Sequence, residues 1–182
     1  MKIGIIALGA KPFHIGHSYL INVASRENDI VKLYVSLSDR KRSGEFSVLG
    51  STMERIWRQH IEPMLPKNVS VEYTPPQSPI RKVYEFLGSE NEAGSDDTYT
   101  IYSDPDDLNA NFPTRNLEKY MGNLYVRRQI RLEPISRGEN IDISGTQMRQ
   151  FLSAGDRQSF LSNIPDGIDG NAIWDMLLSQ DV

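Results

Sequence analysis

The chain has 182 residues, a length that fits one domain with a substantial core, and 38% of its residues are hydrophobic against 24% charged. Its formal net charge is −4, which argues against a general nucleic-acid binder, although a local basic cluster would still suffice for a small anion. Without cysteine it can form no disulfide, thiolate zinc site or cysteine nucleophile. No apolar run approaches transmembrane length and the first residues lack a secretory pattern, so we expect no membrane association and a cytoplasmic location.

Strands and helices are predicted to alternate along the chain. A nearly continuous apolar run predicts a buried strand over residues 2–9, and a helix is expected over 16–27. Further strands are predicted at 31–37, 69–73, 99–102 and 129–135. Further helices are predicted at 51–65, capped by Ser51, at 78–87, from 146 to 152 and at 170–179. Residues 88–97 are interpreted as a surface loop and 105–123 as irregular, with a short helix near 114–121.

This alternation implies βαβ units. The fold class is therefore predicted as α/β, a single Rossmann-like domain over residues 1–182 with a mostly parallel five-stranded sheet flanked by helices. Residues 150–182 are expected to form a C-terminal helical tail. Ligands of such sheets bind beyond the carboxyl ends of the strands, and His14, Asp39 with Arg40, and Asp104 all follow predicted strands.

The segment His14-Ile15-Gly16-His17 lies between the first strand and the first helix. A helix N-terminus there offers free N–H groups and the positive end of the helix dipole to an anion. Two imidazoles three residues apart can face one phosphate, and Gly16 allows the ligand close to the backbone. The alternatives are ordinary turn residues or a metal site, although no Cys or third His lies nearby to complete one.

A second motif, Ser144-Gly145-Thr146-Gln147-Met148-Arg149, opens a later helix. Its hydroxyls can cap the helix and bind phosphate, and Arg149 can present a fork of donors one turn further on. The alternative is an ordinary helix cap followed by a solvated arginine.

Together the two motifs resemble those of the HxGH nucleotidyltransferase superfamily (cytidylyltransferase-like). Pro12-Phe13-His14-Ile15-Gly16-His17 matches its Pro-Phe-His-x-Gly-His segment, and Ser144 to Arg149 matches its Ser-x-Thr-x-x-Arg segment. The resemblance is strongest to archaeal-type nicotinamide mononucleotide adenylyltransferases, and Arg149 favours ATP over CTP.

The resemblance implies roles for particular residues of this chain. His14, His17, Lys11 and Arg149 are the predicted catalytic residues, with His17 expected to contact the transition state. The predicted nucleotide-binding residues are Leu8, Gly9, Ala10, Gly16, Arg137, Ser144, Gly145 and Thr146. The predicted substrate-binding residues are Arg40, Arg55 and Asp104, although Arg55 could instead pair with a carboxylate on its helix and Asp104 could be only a turn residue. No residue is predicted as a protein ligand to a metal.

The implied activity joins ATP or CTP to a small phosphorylated acceptor with release of pyrophosphate, aided by Mg²⁺. Nicotinamide mononucleotide adenylyltransferase, an enzyme of NAD biosynthesis, is the favoured interpretation, and the resemblance is compatible with a homo-oligomer. A cytidylyltransferase, a phosphopantetheine adenylyltransferase and a nucleotide-sensing module without turnover stay open. One departure is notable: the family's Gly-Arg-Phe-x-Pro-Phe-His lacks its arginine here, and Lys11 is predicted to take over that charge.

Overall fold

The computed structural model describes residues 1–136 and 143–182. Five parallel strands form one sheet in the order β3-β2-β1-β4-β5. The strands are β1 (Lys2–Leu8), β2 (Ile30–Val35), β3 (Val69–Tyr73), β4 (Thr98–Ser103) and β5 (Ile130–Pro134). This confirms the predicted fold class, and every strand lies within two residues of its predicted position.

Nine helices are seen in the described part of the chain. They are α1 (Ile15–Glu27), α2 (Gly50–Ile56), α3 (Pro79–Ala93), α4 (Pro105–Asn111), α5 (Thr114–Tyr120), α6 (Gly122–Val126), α7 (Gly145–Ala154), α8 (Arg157–Ser162) and α9 (Gly170–Leu178). A π-helical turn, Trp57–Ile61, and a 3₁₀ turn, Glu62–Met64, continue α2. The helices cover both faces of the sheet, and each face has its own apolar core.

The strand order places β1 at the centre of the sheet. From β1 the chain moves outward through β2 and β3, and then returns to the other side of β1 with β4 and β5. The switch point therefore lies between β1 and β4, which pair in register from Lys2 with Thr98 to Ile5 with Ile101. In open parallel sheets a crevice forms at the carboxyl end of such a pair.

The predicted surface loop at 88–97 is wrong in its first part, because α3 continues to Ala93. Tertiary contacts support the additional turns: the hydroxyl of Tyr99 donates to Glu90, and Asn91 accepts from the backbone N–H of Leu124. The helix ends at Gly94, whose φ of 66° is the left-handed conformation typical of a C-terminal glycine. An interior glycine, Gly88, was therefore mistaken for the helix end.

The prediction for residues 105–123 is wrong in part: the short helix expected near 114–121 is confirmed as α5, whereas the remainder, expected to be irregular, is mostly helical. That segment forms α4, α5 and the start of α6, with Asp104 capping α4 through the backbone N–H of Asp107. These helices are short, so each carries only one or two buried apolar side chains: Leu108, Phe112, Leu117, Met121 and Leu124. Their pattern is too brief to show helical periodicity in the sequence.

The predicted cap at Ser51 is a further correction. Helix α2 begins one residue earlier, with Leu49 at the N-cap and no side-chain hydrogen bond there. Helix α8, which Asp156 caps through the N–H of Ser159, lies within the expected helical tail over 150–182 but was not predicted as a separate helix.

Candidate functional site

A cleft of about 170 Å³ opens at the switch point, where β1 and β4 end. Its lining combines both strand ends with the N-terminal turns of α1 and α4: Ala7, Leu8, Gly9, His14, Gly16, His17, Tyr19, Leu20, Ser103, Asp104, Asp107 and Ile135. The structure thus brings together the predicted residues of the first motif and Asp104, which the sequence separates widely.

The two imidazoles of the first motif are held in place by the backbone of α1. Nδ1 of His14 accepts from the N–H of Gly16 at 3.0 Å, and Nδ1 of His17 accepts from the N–H of His14 at 3.1 Å. This is a capping box in which both partners are histidines. The ring centroids lie 3.8 Å apart, and the His14 side chain is buried.

These bonds determine where the ring proton lies. A nitrogen that accepts a hydrogen bond carries no proton, so in the neutral ring the proton is on Nε2. Each imidazole is therefore prepared to donate from Nε2. The buried ring of Phe13 stacks on His17 at 5.6 Å and packs edge-on against Trp57, which fixes the orientation of His17 from behind.

Lys11 differs from the prediction in how its charge is placed. Its Nζ donates to the carbonyls of Gly9 at 2.9 Å and Ser36 at 2.7 Å, at the ends of β1 and β2. The side chain is buried, and burial lowers the pKa of Lys11 to about 8, with Asp39 opposing the shift. Lys11 does not line the cleft. Its ammonium group instead donates to backbone carbonyls at the ends of two neighbouring strands.

The second motif forms the N-terminus of α7 as predicted. Ser144 accepts from the N–H of Gln147, and the side chain of Gln147 accepts from the N–H of Ser144, which closes a second capping box. Arg149 is 6% exposed, and its Nη1 donates to the carbonyl of Lys11 at 2.6 Å. This bond connects the two motifs directly.

Gly145 leaves room for the side chain of Arg149 in its observed position. A Cβ at residue 145 would lie 2.9 Å from Nη1 of Arg149 and 3.5 Å from the carbonyl oxygen of Lys11. The guanidinium therefore lies across the first turn of α7, where Nη2 also donates to the Thr146 hydroxyl at 3.2 Å.

Arg40 lies beside Arg149, and one carboxylate joins them. Nε and Nη2 of Arg40 bind the two oxygens of Glu45 at 3.0 and 3.2 Å, and Nε of Arg149 lies 3.5 Å from Glu45 Oε2. This last contact is an ion pair without hydrogen-bond geometry, because Nε of Arg149 has no hydrogen-bond partner among the described residues. Burial first, and then the charges of Arg40 and Arg42, lower the pKa of Arg149, while Glu45 raises it.

Other predicted residues are placed differently. Arg55 is exposed on α2 and lines none of the clefts found in the described structure at the strand ends. Ala10 is buried with φ of 49°, a strained conformation for a residue with a side chain, and does not line the cleft. Arg137 lies outside the described residues.

Sequence reasoning missed several residues at the site. Asp107, Ser103 and Tyr19 line the cleft, and Glu45 contacts Arg149. For Asp107 a signal was available, since Asp104-Pro105 marks a helix start and the third residue of the first turn lies beside the cap. No sequence signal indicated Glu45, because only the folded loop places this residue near Arg149.

The described residues contain no group of three or more His, Cys, Asp or Glu side chains that could hold a metal ion. Residues 1–136 and 143–182 also contain no helix long and apolar enough to span a membrane.

Comparison with known sequences gives one partial match. Residues 3–49 match the profile of the citrate lyase ligase C-terminal domain family, a stretch that includes the histidine motif and ends before α2. No curated protein sequence matches the chain. The family match covers well under half of the chain.

Solved structures show similarity over nearly the whole chain. A proposed nicotinate-nucleotide adenylyltransferase from Vibrio parahaemolyticus matches 98% of this chain and 99% of its own, with 16% identity and a TM-score of 0.55. Plasmodium falciparum nicotinic acid mononucleotide adenylyltransferase, complexed with NaAD, matches 97% and 94%, with 13% identity and a TM-score of 0.58.

A third structure is Thermotoga maritima TmcAL bound with alpha-thio ATP. It matches 98% of this chain at 14% identity and a TM-score of 0.55, while the chain spans only 55% of TmcAL. At such identities the likeness concerns the fold. The chain therefore has the Rossmann-like α/β fold that these nucleotide-binding proteins share.

Proposed function

We propose that this protein is a nucleotidyltransferase that transfers the adenylyl group of ATP to a phosphorylated acceptor and releases pyrophosphate. The observation that carries the proposal is the histidine pair. Both imidazoles use Nδ1 within the helix N-terminus, so the proton of the neutral ring is on Nε2, and both residues line the switch-point cleft, where such sheets bind nucleotides. Preorganised donors of this kind stabilise the charge that develops on a phosphoryl group.

In the proposed reaction an acceptor phosphate oxygen attacks the α-phosphorus of ATP in line, and the bond to the bridging oxygen of pyrophosphate breaks. The protein supplies alignment and charge neutralisation, so no covalent intermediate with the chain is needed. His14 and His17 hold the α- and β-phosphates. Ser144, Thr146 and Arg149 at the start of α7 hold the leaving pyrophosphate.

Mg²⁺ is proposed as the accompanying cation, and it would neutralise phosphate charge when bound. It prefers oxygen ligands and keeps several waters, so few protein ligands are required. The carboxylates of Asp104 and Asp107 line the same cleft as the histidines and offer oxygens of the required type.

Nicotinamide mononucleotide is the proposed acceptor, with NAD as the product. The sequence resemblance supports it, and two structural neighbours carry names of adenylyltransferases for the nicotinate mononucleotide, a close chemical relative. The bound alpha-thio ATP of the third neighbour supports ATP as donor. The cytoplasmic location and the homo-oligomer stay predictions from the sequence.

The test is pyrophosphate release in the presence of Mg²⁺, with ATP and CTP each combined with nicotinamide mononucleotide, nicotinate mononucleotide, phosphopantetheine and simple phosphoalcohols. We expect release with ATP and a pyridine mononucleotide. Release with CTP alone would contradict the choice of ATP from Arg149. ATP binding without release from any acceptor would contradict the enzyme and favour the nucleotide-sensing module.

A further inference from the structure

The loop that connects β2 to α2 places a carboxylate on the predicted phosphate-binding arginines. Residues 40–48, called the latch loop below, are closed by a two-way backbone bridge between Arg40 and Val48 at 2.8 and 3.0 Å. A turn between Arg42 and Glu45 then directs Glu45 to Arg149. The contact joins the latch loop to the N-terminus of α7.

The latch loop has a firm base and a solvated tip. Val48 is fully buried, and the next two backbone N–H groups donate to the side chains of Gln180 and Asp39, both at 2.8 Å. At the tip, the Glu45 side chain keeps 28% of its exposure. Glu45 can therefore leave Arg149 without disturbing the core.

Positive charge exceeds negative charge around Arg149. Arg40 and Arg42 both lower the pKa of this arginine, and Glu45 alone opposes them. Nε of Arg149 is buried and has no hydrogen-bond partner among the described residues, although Glu45 lies 3.5 Å away. The carboxylate thus leaves a buried donor unsatisfied, and such a donor favours a better-placed anion.

There is also room for an anion at this point. A cleft of about 490 Å³ is lined by Glu45, Arg149, Thr146 and their neighbours on both elements. A phosphate reaching this cleft would meet the guanidinium and the Thr146 hydroxyl together. Phosphate oxygens carry more charge than a carboxylate and accept from guanidinium groups in the same bidentate manner.

We propose that Glu45 is an internal substitute for phosphate, which holds Arg40 and Arg149 until the phosphate chain of the nucleotide displaces it. The proposal deepens the proposed function and rests on it for the identity of the anion. Glu45 thereby competes with any anion for the arginines, and a polyphosphate, with its greater charge, displaces it more readily than a weakly charged anion does. The released carboxylate is already partly solvated, so its displacement costs little.

The test measures binding rather than turnover. Calorimetric titration with sodium pyrophosphate, and separately with ATP, compares the wild type with Glu45→Gln. We expect Glu45→Gln to tighten binding of both by about three- to tenfold, since the competing charge is gone. Unchanged or weaker binding would overturn the proposal and make Glu45 a structural support for Arg149.

Two further variants separate displacement from a general change of charge. Glu45→Asp keeps the charge but is one methylene too short to hold both arginines, so it should also tighten binding, by less. If only Glu45→Gln tightens binding, the effect is long-range electrostatics and the latch is wrong. Glu54→Gln, which breaks a surface ion pair between α2 and Arg58 of the π-helical turn that follows, is the matched control and should leave binding unchanged.

The binding experiment and the transfer assay test the role of Glu45 and the proposed enzyme activity separately. Tighter pyrophosphate binding by Glu45→Gln in a protein that shows no transfer with any acceptor would support the latch and contradict the enzyme. Normal transfer with unchanged pyrophosphate binding would do the reverse. Thermal unfolding of each variant verifies that it is folded before titration.

Discussion

At the N-terminus of α1, two imidazoles use their Nδ1 atoms to cap their own helix, and these bonds fix the orientation of both rings. At the N-terminus of α7, the guanidinium of Arg149 is instead engaged by Lys11, Thr146 and Glu45. Both motifs resemble segments of one superfamily, yet the first is preorganised by bonds within its own helix turn, whereas the second is held mainly by residues that are distant in the sequence. A motif therefore indicates candidate residues but not the contacts that hold them.

The largest expected effect comes from the preorganised motif. His17→Ala removes a donor proposed to act in the transition state, and we expect turnover to fall by a factor on the order of 10²–10³ with a much smaller loss of ATP affinity. Steady-state kinetics and ATP titration measure the two quantities. His17→Asn is the matched variant, because its amide oxygen can still accept from the His14 N–H. Equal losses of turnover and affinity would contradict the role given to His17.

Lys11 connects the two motifs, and its burial predicts a pH effect on stability. Its pKa of about 8 in the folded protein lies below the unfolded value of 10.5, so the unfolded chain binds more protons between these values and stability rises with pH. From pH 8 to 9.5 we expect a gain of about 2 kcal/mol from this group. Burial also raises the pKa of several tyrosines, among them that of Tyr102 to about 12, and their ionisation in the unfolded chain opposes this rise as the pH approaches 10.

Denaturant unfolding of the wild type and Lys11→Met at pH 8 and 9.5 tests this. The free energy of unfolding of Lys11→Met should not rise between these pH values, whereas that of Lys67→Met, a change at an exposed position, should still rise. A rise of equal size in Lys11→Met would assign the pH effect to another group.

Gly145→Ala tests whether Arg149 must lie across the first turn of α7. The added Cβ would lie 2.9 Å from Nη1, so the guanidinium has to shift, and we expect ATP affinity to fall by about three- to tenfold. Gly122→Ala is the control, since Gly122 also opens a helix but has open space around its Cβ position. Equal ATP affinity in the wild type and both variants would mean that the position of Arg149 is unimportant for binding.

The smallest expected effect concerns the helix caps. Ser144→Ala removes the cap of α7 and should lower the free energy of unfolding by about 1 kcal/mol without nucleotide. Ser51→Ala should change it by less than about 0.5 kcal/mol, because α2 has no side-chain cap. Chemical denaturation measures the free energy of unfolding of both variants. A clear loss of stability in Ser51→Ala would support the cap predicted from the sequence.

Pattern reasoning succeeded where one local signal was strong. The strand patterns predicted all five strands, and the helix predicted from residue 78 begins at Pro79. It failed where distant residues decide the outcome. The last turns of α3 depend on Tyr99 and Leu124, and the short helices α4 and α6 carry too few apolar residues to be periodic.

The amino-acid sequence was enough to establish the α/β class, the parallel sheet and the two helix-start motifs, because strand runs and helix caps are local and repeat known physical patterns. It also identified His14, His17, Ser144 and Arg149 as candidates. Only the tertiary structure decided that Lys11 is buried against strand-end carbonyls and that Glu45 lies on Arg149. Such contacts depend on how separate loops pack at one edge of the sheet, and no local sequence pattern predicts contacts between distant segments.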